Sequence, residues 1–187
     1  MTLADFTGPG LIILHLQGRD VAGVIQELSE ALHREKRVPD LLPFYRAALD
    51  REFLVSSEME EGMAFPHARL KGLQELSFAF GRADEPLVWG AKAFRSVRLV
   101  FLMAVPPADT VQYLSLISGL ARLAKERTLL GRLQGAPDTR QILEVLQTIQ
   151  LRTNSAPNAE RIVPLPSDST GKVFSPRDEG AGRTPKL

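Results

Sequence analysis

The chain has 187 residues, 44% of them hydrophobic, no cysteine, and a formal net charge of +1. That length and apolar content suffice for one domain with a buried core, while the missing thiols exclude disulfides, thiolate nucleophiles and cysteine-metal sites. Basic and acidic side chains are in near balance, 17 against 18 over residues 1–150, so nucleic acid is not an expected partner.

The first apolar run, Leu11-Ile12-Ile13-Leu14-His15-Leu16, predicts a buried strand that Gly18 ends. Asp20 is placed to cap a helix whose Val21, Val24, Ile25, Leu28 and Leu32 recur at helical spacing. That pattern fails near residues 36–38, ahead of Pro39. Asp40 then predicts a second helix start, with Pro43 tolerated in the first turn and Phe44, Ala47 and Ala48 on one side. This helix runs into Arg51 and Glu52, and the polar stretch 56–62 reads as a loop.

Met63, Ala64 and Phe65 predict a short buried strand. Pro66 stops it, because a fixed φ and a missing N–H cannot continue the ladder. His67 is thus expected at a strand end, where functional side chains are commonly displayed on a rigid support. On an extended chain Arg69 points to the same side. An imidazole beside a guanidinium suits phosphate, one nitrogen to carry the phosphoryl and a planar cation to hold its oxygens. A single histidine in a globular domain is more often a surface or satisfied core residue, so these residues alone leave both readings open.

Residues 76–80 alternate as a strand should, with Gly81 expected to end it and Asp84-Glu85-Pro86 to form a turn before a brief extended piece at Val88-Trp89. Residues 97–105 are almost continuously apolar, a strand buried on both faces that Pro106-Pro107 stop. Three helices are expected next. The first covers about 109–125, and the second, near 126–134, uses Leu129, Leu130 and Leu133. The third starts at Asp138, with Gln141 three residues on in a capping-box arrangement, and buries Ile142, Leu143, Leu146 and Ile149. Strands alternating with helices argue for an α/β fold, a single domain over 1–151 with a mixed β-sheet flanked by helices on both faces.

From 152 to 187 the character changes. Five of the 13 prolines fall there amid Ser, Asn, Gly and charge, with no apolar period, which predicts a disordered tail around one short apolar patch, Ile162-Val163-Pro164-Leu165. No apolar run approaches the roughly 20 residues of a membrane span, and the start lacks a basic-then-apolar signal pattern, so a cytoplasmic protein without membrane insertion is expected. His15 and His33 read as structural or exposed, and the three histidines lack a paired spacing that suits a metal. No Gly-x-Ser-x-Gly, Walker or dinucleotide pattern occurs.

The segment Gly62-Met63-Ala64-Phe65-Pro66-His67-Ala68-Arg69 resembles the active-site signature of the fructose/mannitol-type (type 2) enzyme IIA domains of the bacterial phosphotransferase system, which the nitrogen-regulatory IIA proteins share. From residue 9 to about 148 the order of features is also similar: an apolar strand at 12–16, a helix, the Arg51-Glu52 pair, and the Pro-His motif. A strand ending in Ala104-Val105-Pro106 and a helix carrying Leu120-Ala121-Arg122-Leu123 complete it. The resemblance implies the IIA fold and a histidine phosphotransfer role without cofactor or metal. His67 would accept a phosphoryl group from an HPr-like phosphocarrier protein and pass it to a IIB domain, or signal its state to a regulated target protein.

By the same resemblance Arg51 would bind phosphoryl oxygens, Ser57 would donate a hydrogen bond, and Arg69 would assist. Their plain physical readings stand beside these: Arg51 is also a helix-terminal cation favoured by the macrodipole, and Arg69 a side chain snorkelling from a sheet edge. Two departures stand out. Where family members commonly carry a second histidine, this chain has Tyr113, followed by Leu114; a phenol donates a hydrogen bond but brings no positive charge at neutral pH. The loop before the motif carries Glu58, Glu60 and Glu61, expected to face solvent where salt screens them. Both departures suit an alternative, a regulatory interaction module that keeps the IIA fold while phosphorylation is slow or lost.

Overall fold

The computed structural model describes residues 1–59, 61–90 and 96–151; the expected tail with its Ile162-Val163-Pro164-Leu165 patch, and Glu60, lie outside the described residues. Two 3-10 turns, Leu3–Phe6 and Pro9–Leu11, lead into strand β1 (Ile12–Ile13). Helices α1 (Val21–Arg34) and α2 (Leu41–Leu54) follow, then β2 (Met63–Ala64), β3 (His67–Arg69), β4 (Ser77–Val88) and β5 (Ser96–Val105). Helices α3 (Thr110–Lys125), α4 (Arg127–Gly135) and α5 (Thr139–Gln147) complete the described chain.

The caps behave largely as their chemistry demands. Asp20 Oδ1 accepts the Gly23 N–H at 2.7 Å and Asp138 Oδ1 the Gln141 N–H at 2.9 Å, each satisfying a donor that a helix start leaves unpaired. Asp40 occupies the N-cap of α2 without a side-chain hydrogen bond.

The sheet is mixed, in the order β1-β4-β5-β2, with β3 also paired to β5. β4 and β5 form its antiparallel centre; β1 runs parallel to β4, and β2 and β3 run parallel to β5. Side chains of β5 alternate between the faces. Leu99, Phe101, Met103 and Val105 join the core under the first 3-10 turn, α3, α4 and α5, whereas Val100, Leu102 and Ala104 join the core under α1 and α2. Burial of β5 on both faces explains its near-continuous apolarity. On one face Phe101 gathers the rings of Phe65, Phe78 and Phe80 at 5.6, 5.6 and 5.0 Å, pairs worth about 0.5–1.5 kcal/mol each beyond their burial.

Four sequence expectations are corrected. The first strand shrinks to two residues, because only Ile12 and Ile13 find partners, on β4. Gly81 does not end a strand: it pairs with Val100 inside the 12-residue β4, where the Leu16 methyls would lie 2.8 Å from any Cβ placed there. Asp84-Glu85-Pro86 is not a turn, since β4 continues through it and the register against β5 shifts between Arg82 and Leu87. Pro66 interrupts a strand without ending its course. β2 pairs Met63 with Leu99 and β3 pairs His67 with Met103, the same offset, so pairing resumes in register beyond the proline. His67 therefore begins a strand instead of terminating one.

Candidate functional site

Because pairing resumes in register, Met63, Phe65, His67 and Arg69 project from one side of the chain. Met63 and Phe65 are buried in the core under α3, while Ala64 and Ala68 join the opposite core. His67 is half-buried and Arg69 exposed, so the row passes from core to surface. The imidazole meets α3 at Tyr113, ring centroids 5.7 Å apart and planes tilted by 46°. The Arg69 guanidinium carbon lies 5.4 Å from the centroid of the same Tyr113 ring, a cation–π contact. The structure thus brings together His67, Arg69 and Tyr113, three residues the sequence singled out.

Arg51 approaches from the last turn of α2. Its Nη1 donates to Val55 O at 2.8 Å, closing the helix C-terminus, and its charge acts on both His67 and Tyr113. The helix-end reading of this arginine is thus met, from a position where its charge also reaches the histidine ring. Ser57 stands behind the histidine: its Oγ accepts the Phe65 N–H at 3.1 Å, and its hydroxyl proton remains rotatable.

The ring of His67 is held by its own strand. Nδ1 lies 3.2 Å from Phe65 O. A carbonyl has no proton to give, so Nδ1 carries the hydrogen and Nε2 keeps the lone pair. Burial holds the His67 pKa below its ordinary 6.5; the Phe65 carbonyl opposes that shift, Arg51 adds to it, Glu52 opposes it, and Arg69 adds a little more. The net direction makes the ring neutral, and Nε2 nucleophilic, at neutral pH. Burial likewise raises the Tyr113 pKa above 10.0 against the pull of Arg69 and Arg51, so the phenol stays a donor.

The acidic loop departs from expectation. Glu58 does not face solvent: its carboxylate packs against Gly90, where an added Cβ would sit 2.9 Å from Glu58 Oε1 and Ser56 Oγ. Gly90 has φ +79°, so both its backbone and this close approach require glycine. Glu61 is exposed. The loop itself runs antiparallel to the histidine segment, with a bridge between Glu58 and Ala64 and a 2.8 Å bond from Met59 N to Met63 O.

One residue of the site's support is named in the sequence only as half of the Arg51-Glu52 pair and given no role there. Glu52, only 4% exposed, directs Oε1 at three donors: Ser57 N at 2.7 Å, Trp89 Nε1 at 2.7 Å and Ser56 Oγ at 3.1 Å. The signal was available. Phe44, Ala48 and Glu52 recur every four residues as the buried stripe of α2, and a carboxylate on such a stripe needs partners. The remaining histidines are accounted for locally, His15 Nδ1 by Asp84 at 2.8 Å and His33 Nδ1 by Val38 O at 2.9 Å. Among the described residues no helix is long and apolar enough to cross a membrane.

The family model described as "Phosphoenolpyruvate-dependent sugar phosphotransferase system, EIIA 2" matches residues 5–149. A nitrogen regulatory protein of Pseudomonas aeruginosa is 27% identical over 148 residues, spanning 79% of this chain and 96% of its own length. The fold is similar to the crystal structure of nitrogen regulatory protein IIA-Ntr from Neisseria meningitidis, with a TM-score of 0.66, 23% identity, and 77% and 98% of the two chains covered. It is also similar to the Escherichia coli complex of enzyme IIAMtl with phosphorylated enzyme IIBMtl, with a TM-score of 0.65, 22% identity, and 74% and 95% covered.

Proposed function

We propose that this chain, which belongs to the EIIA 2 family of the phosphoenolpyruvate-dependent sugar phosphotransferase system, is a phosphocarrier whose acceptor atom is Nε2 of His67. The observation that carries this reading is the bond from Nδ1–H to Phe65 O, which leaves Nε2 bearing the lone pair on a ring kept neutral by burial. The donor would be an HPr-like protein phosphorylated on a histidine nitrogen. The Nε2 lone pair forms a P–N bond while the donor's P–N bond breaks, its electron pair returning to the donor ring. If the donor ring enters as an imidazolium it leaves neutral, and His67 becomes the imidazolium, its Nδ1–H still bonded to Phe65 O. Charge and protons balance without an outside acid. Arg51 and Arg69 would neutralise the equatorial oxygens, and Tyr113 and Ser57 would donate to them, so rate comes from positioning and charge.

Exposed apolar side chains accompany the site and suit docking of a protein donor: Phe53, Leu54 and Val55 at the end of α2, Val111 and Leu114 on the first turns of α3. The receiving partner is a IIB domain or a regulated protein. The mannitol complex with phosphorylated IIB supports the first, and the nitrogen regulatory relative the second. Tyr113, standing where the resemblance places a second histidine, favours one other reading, an interaction module with slow or no phosphotransfer. The experiment that separates them is incubation with phosphoenolpyruvate, enzyme I and HPr. One acid-labile phosphoryl group is expected on the wild type and none on His67→Ala. An unlabelled wild type with a competent HPr overturns the phosphocarrier, and equal labelling of the variant overturns His67 as acceptor.

A further inference from the structure

A relay of hydrogen bonds connects the interior of α2 to the acceptor ring. Trp89 Nε1–H and Ser57 N–H both donate to Glu52 Oε1 at 2.7 Å. Ser57 then accepts the Phe65 N–H twice over, through Oγ at 3.1 Å and its carbonyl at 3.4 Å. Phe65 in turn offers its carbonyl to His67 Nδ1 at 3.2 Å. Each donor and acceptor along this path is buried or half-buried, and Trp89 and Glu52 are 0% and 4% exposed. Bonds to a desolvated carboxylate are short, directional and costly to leave unmade.

We propose that Glu52 is a positioning residue for phosphoryl acceptance: its carboxylate, fixed by the Trp89 indole, sets Ser57, and Ser57 sets the Phe65 peptide that orients the His67 ring. This inference rests on His67 being the acceptor. A carboxylate suits the task because one oxygen must receive three donors at once, which a neutral acceptor does less strongly. Its charge does second work. The groups acting on His67 are Arg51 and Glu52 from α2 and Arg69 from β3, with the neutral phenol of Tyr113 on α3 facing the ring. Among these Glu52 alone is anionic, and it offsets the two arginines when the ring becomes an imidazolium on taking up phosphoryl.

The test is 15N NMR of the His67 ring in the full-length, unphosphorylated protein, alongside the rate of labelling by phospho-HPr. Glu52→Gln keeps an oxygen for the three donors and removes the charge. It should retain the Nδ1–H tautomer while the His67 pKa falls. Glu52→Ala leaves Ser57 and Trp89 unpaired; it should mix the two tautomers and slow labelling by roughly tenfold or more. A merely structural role would lower the melting temperature without moving tautomer or pKa. An unchanged tautomer in folded Glu52→Ala overturns the proposal. Should that variant not fold, an unchanged His67 pKa in Glu52→Gln overturns it. The ring measurement needs no transfer, so a wild type that takes no phosphoryl refutes His67 as acceptor and leaves the orientation result standing by itself.

Discussion

The Tyr113 ring stands 5.7 Å from that of His67, and the Arg69 guanidinium rests 5.4 Å from the centroid of the same ring. The phenol thus touches the acceptor and holds a cation beside it. Replacing Tyr113 with His should supply a nitrogen donor able to carry positive charge, worth about 1–3 kcal/mol against developing phosphate charge and a transfer rate raised roughly tenfold or more. Tyr113→Phe keeps the aromatic platform for Arg69 and removes the hydroxyl; it should slow transfer by several-fold. Stopped-flow labelling by phospho-HPr checks both. An unaltered rate in both variants would show that the Tyr113 hydroxyl takes no part in transfer.

Acidity should act on stability through His67. Its folded pKa lies below the unfolded value of 6.5, chiefly because the ring is desolvated. Above pH 6.5 both states are neutral and the contribution is complete. As pH falls below 6.5 the unfolded chain takes a proton that the folded site resists, and stability is lost until pH passes the lower folded pKa. Urea unfolding of the wild type and His67→Gln between pH 7.5 and about 4.5 should show this acid-side loss reduced in the variant. Identical slopes would mean that burial does not govern the ring.

Arg82 should matter for the fold more than its half-buried position suggests. Nη1 donates to the carbonyls of Leu133, Gln134 and Ala136 at 3.2, 3.0 and 2.7 Å, and Nε to Leu14 O at 3.1 Å. One guanidinium thus closes the C-terminus of α4 and ties it to the chain after β1. Arg82→Ala should cost about 2–3 kcal/mol, a drop of roughly 4–12 °C in melting temperature. Calorimetry within a degree of wild type would contradict this.

The chain beyond Leu151 should be dispensable for stability. Leu151 N–H closes on Met1 O at 2.8 Å, the last described bond of the core. From its Pro-, Ser- and Gly-rich composition, 152–187 is expected to bury too little apolar surface to offset its ordering entropy. Deleting residues 155–187 should leave the melting temperature within a few degrees. A large loss would show that Ile162-Val163-Pro164-Leu165 docks on the core.

Elements whose cause is local were legible from residues alone. Asp20 and Asp138 announce helix starts because the cap is a bond between neighbours in sequence, and α1 shows its buried Val24, Ile25, Leu28 and Leu32 at a fixed period. Features decided by distant partners were not. Gly81 reads as a stop until Leu16 is seen to fill the space above it, and Asp84-Glu85-Pro86 reads as a turn until β5 is seen to carry the strand past a register shift. The same holds at the site. His67, Arg69, Tyr113, Arg51 and Ser57 came from a motif and a resemblance, whereas the Glu52–Trp89 bond joins residues 37 apart and has no local signature. The direction of the Glu58 carboxylate was likewise set by Gly90, 32 positions on.

The in-register break at Pro66 makes this part of the chain unforgiving of length. Phe65 and Pro66 span an even number of positions between the paired residues Ala64 and His67, and side chains alternate, so the imidazole emerges on the α3 side. Inserting or deleting one residue there would leave both strands free to pair with β5 yet turn His67 toward α1 and α2 and bring Ala68 out to Tyr113. The helix after Pro106 would be untouched, and the molecule would fold around a blind site. Chain parity between Ala64 and His67 therefore decides which core the imidazole faces.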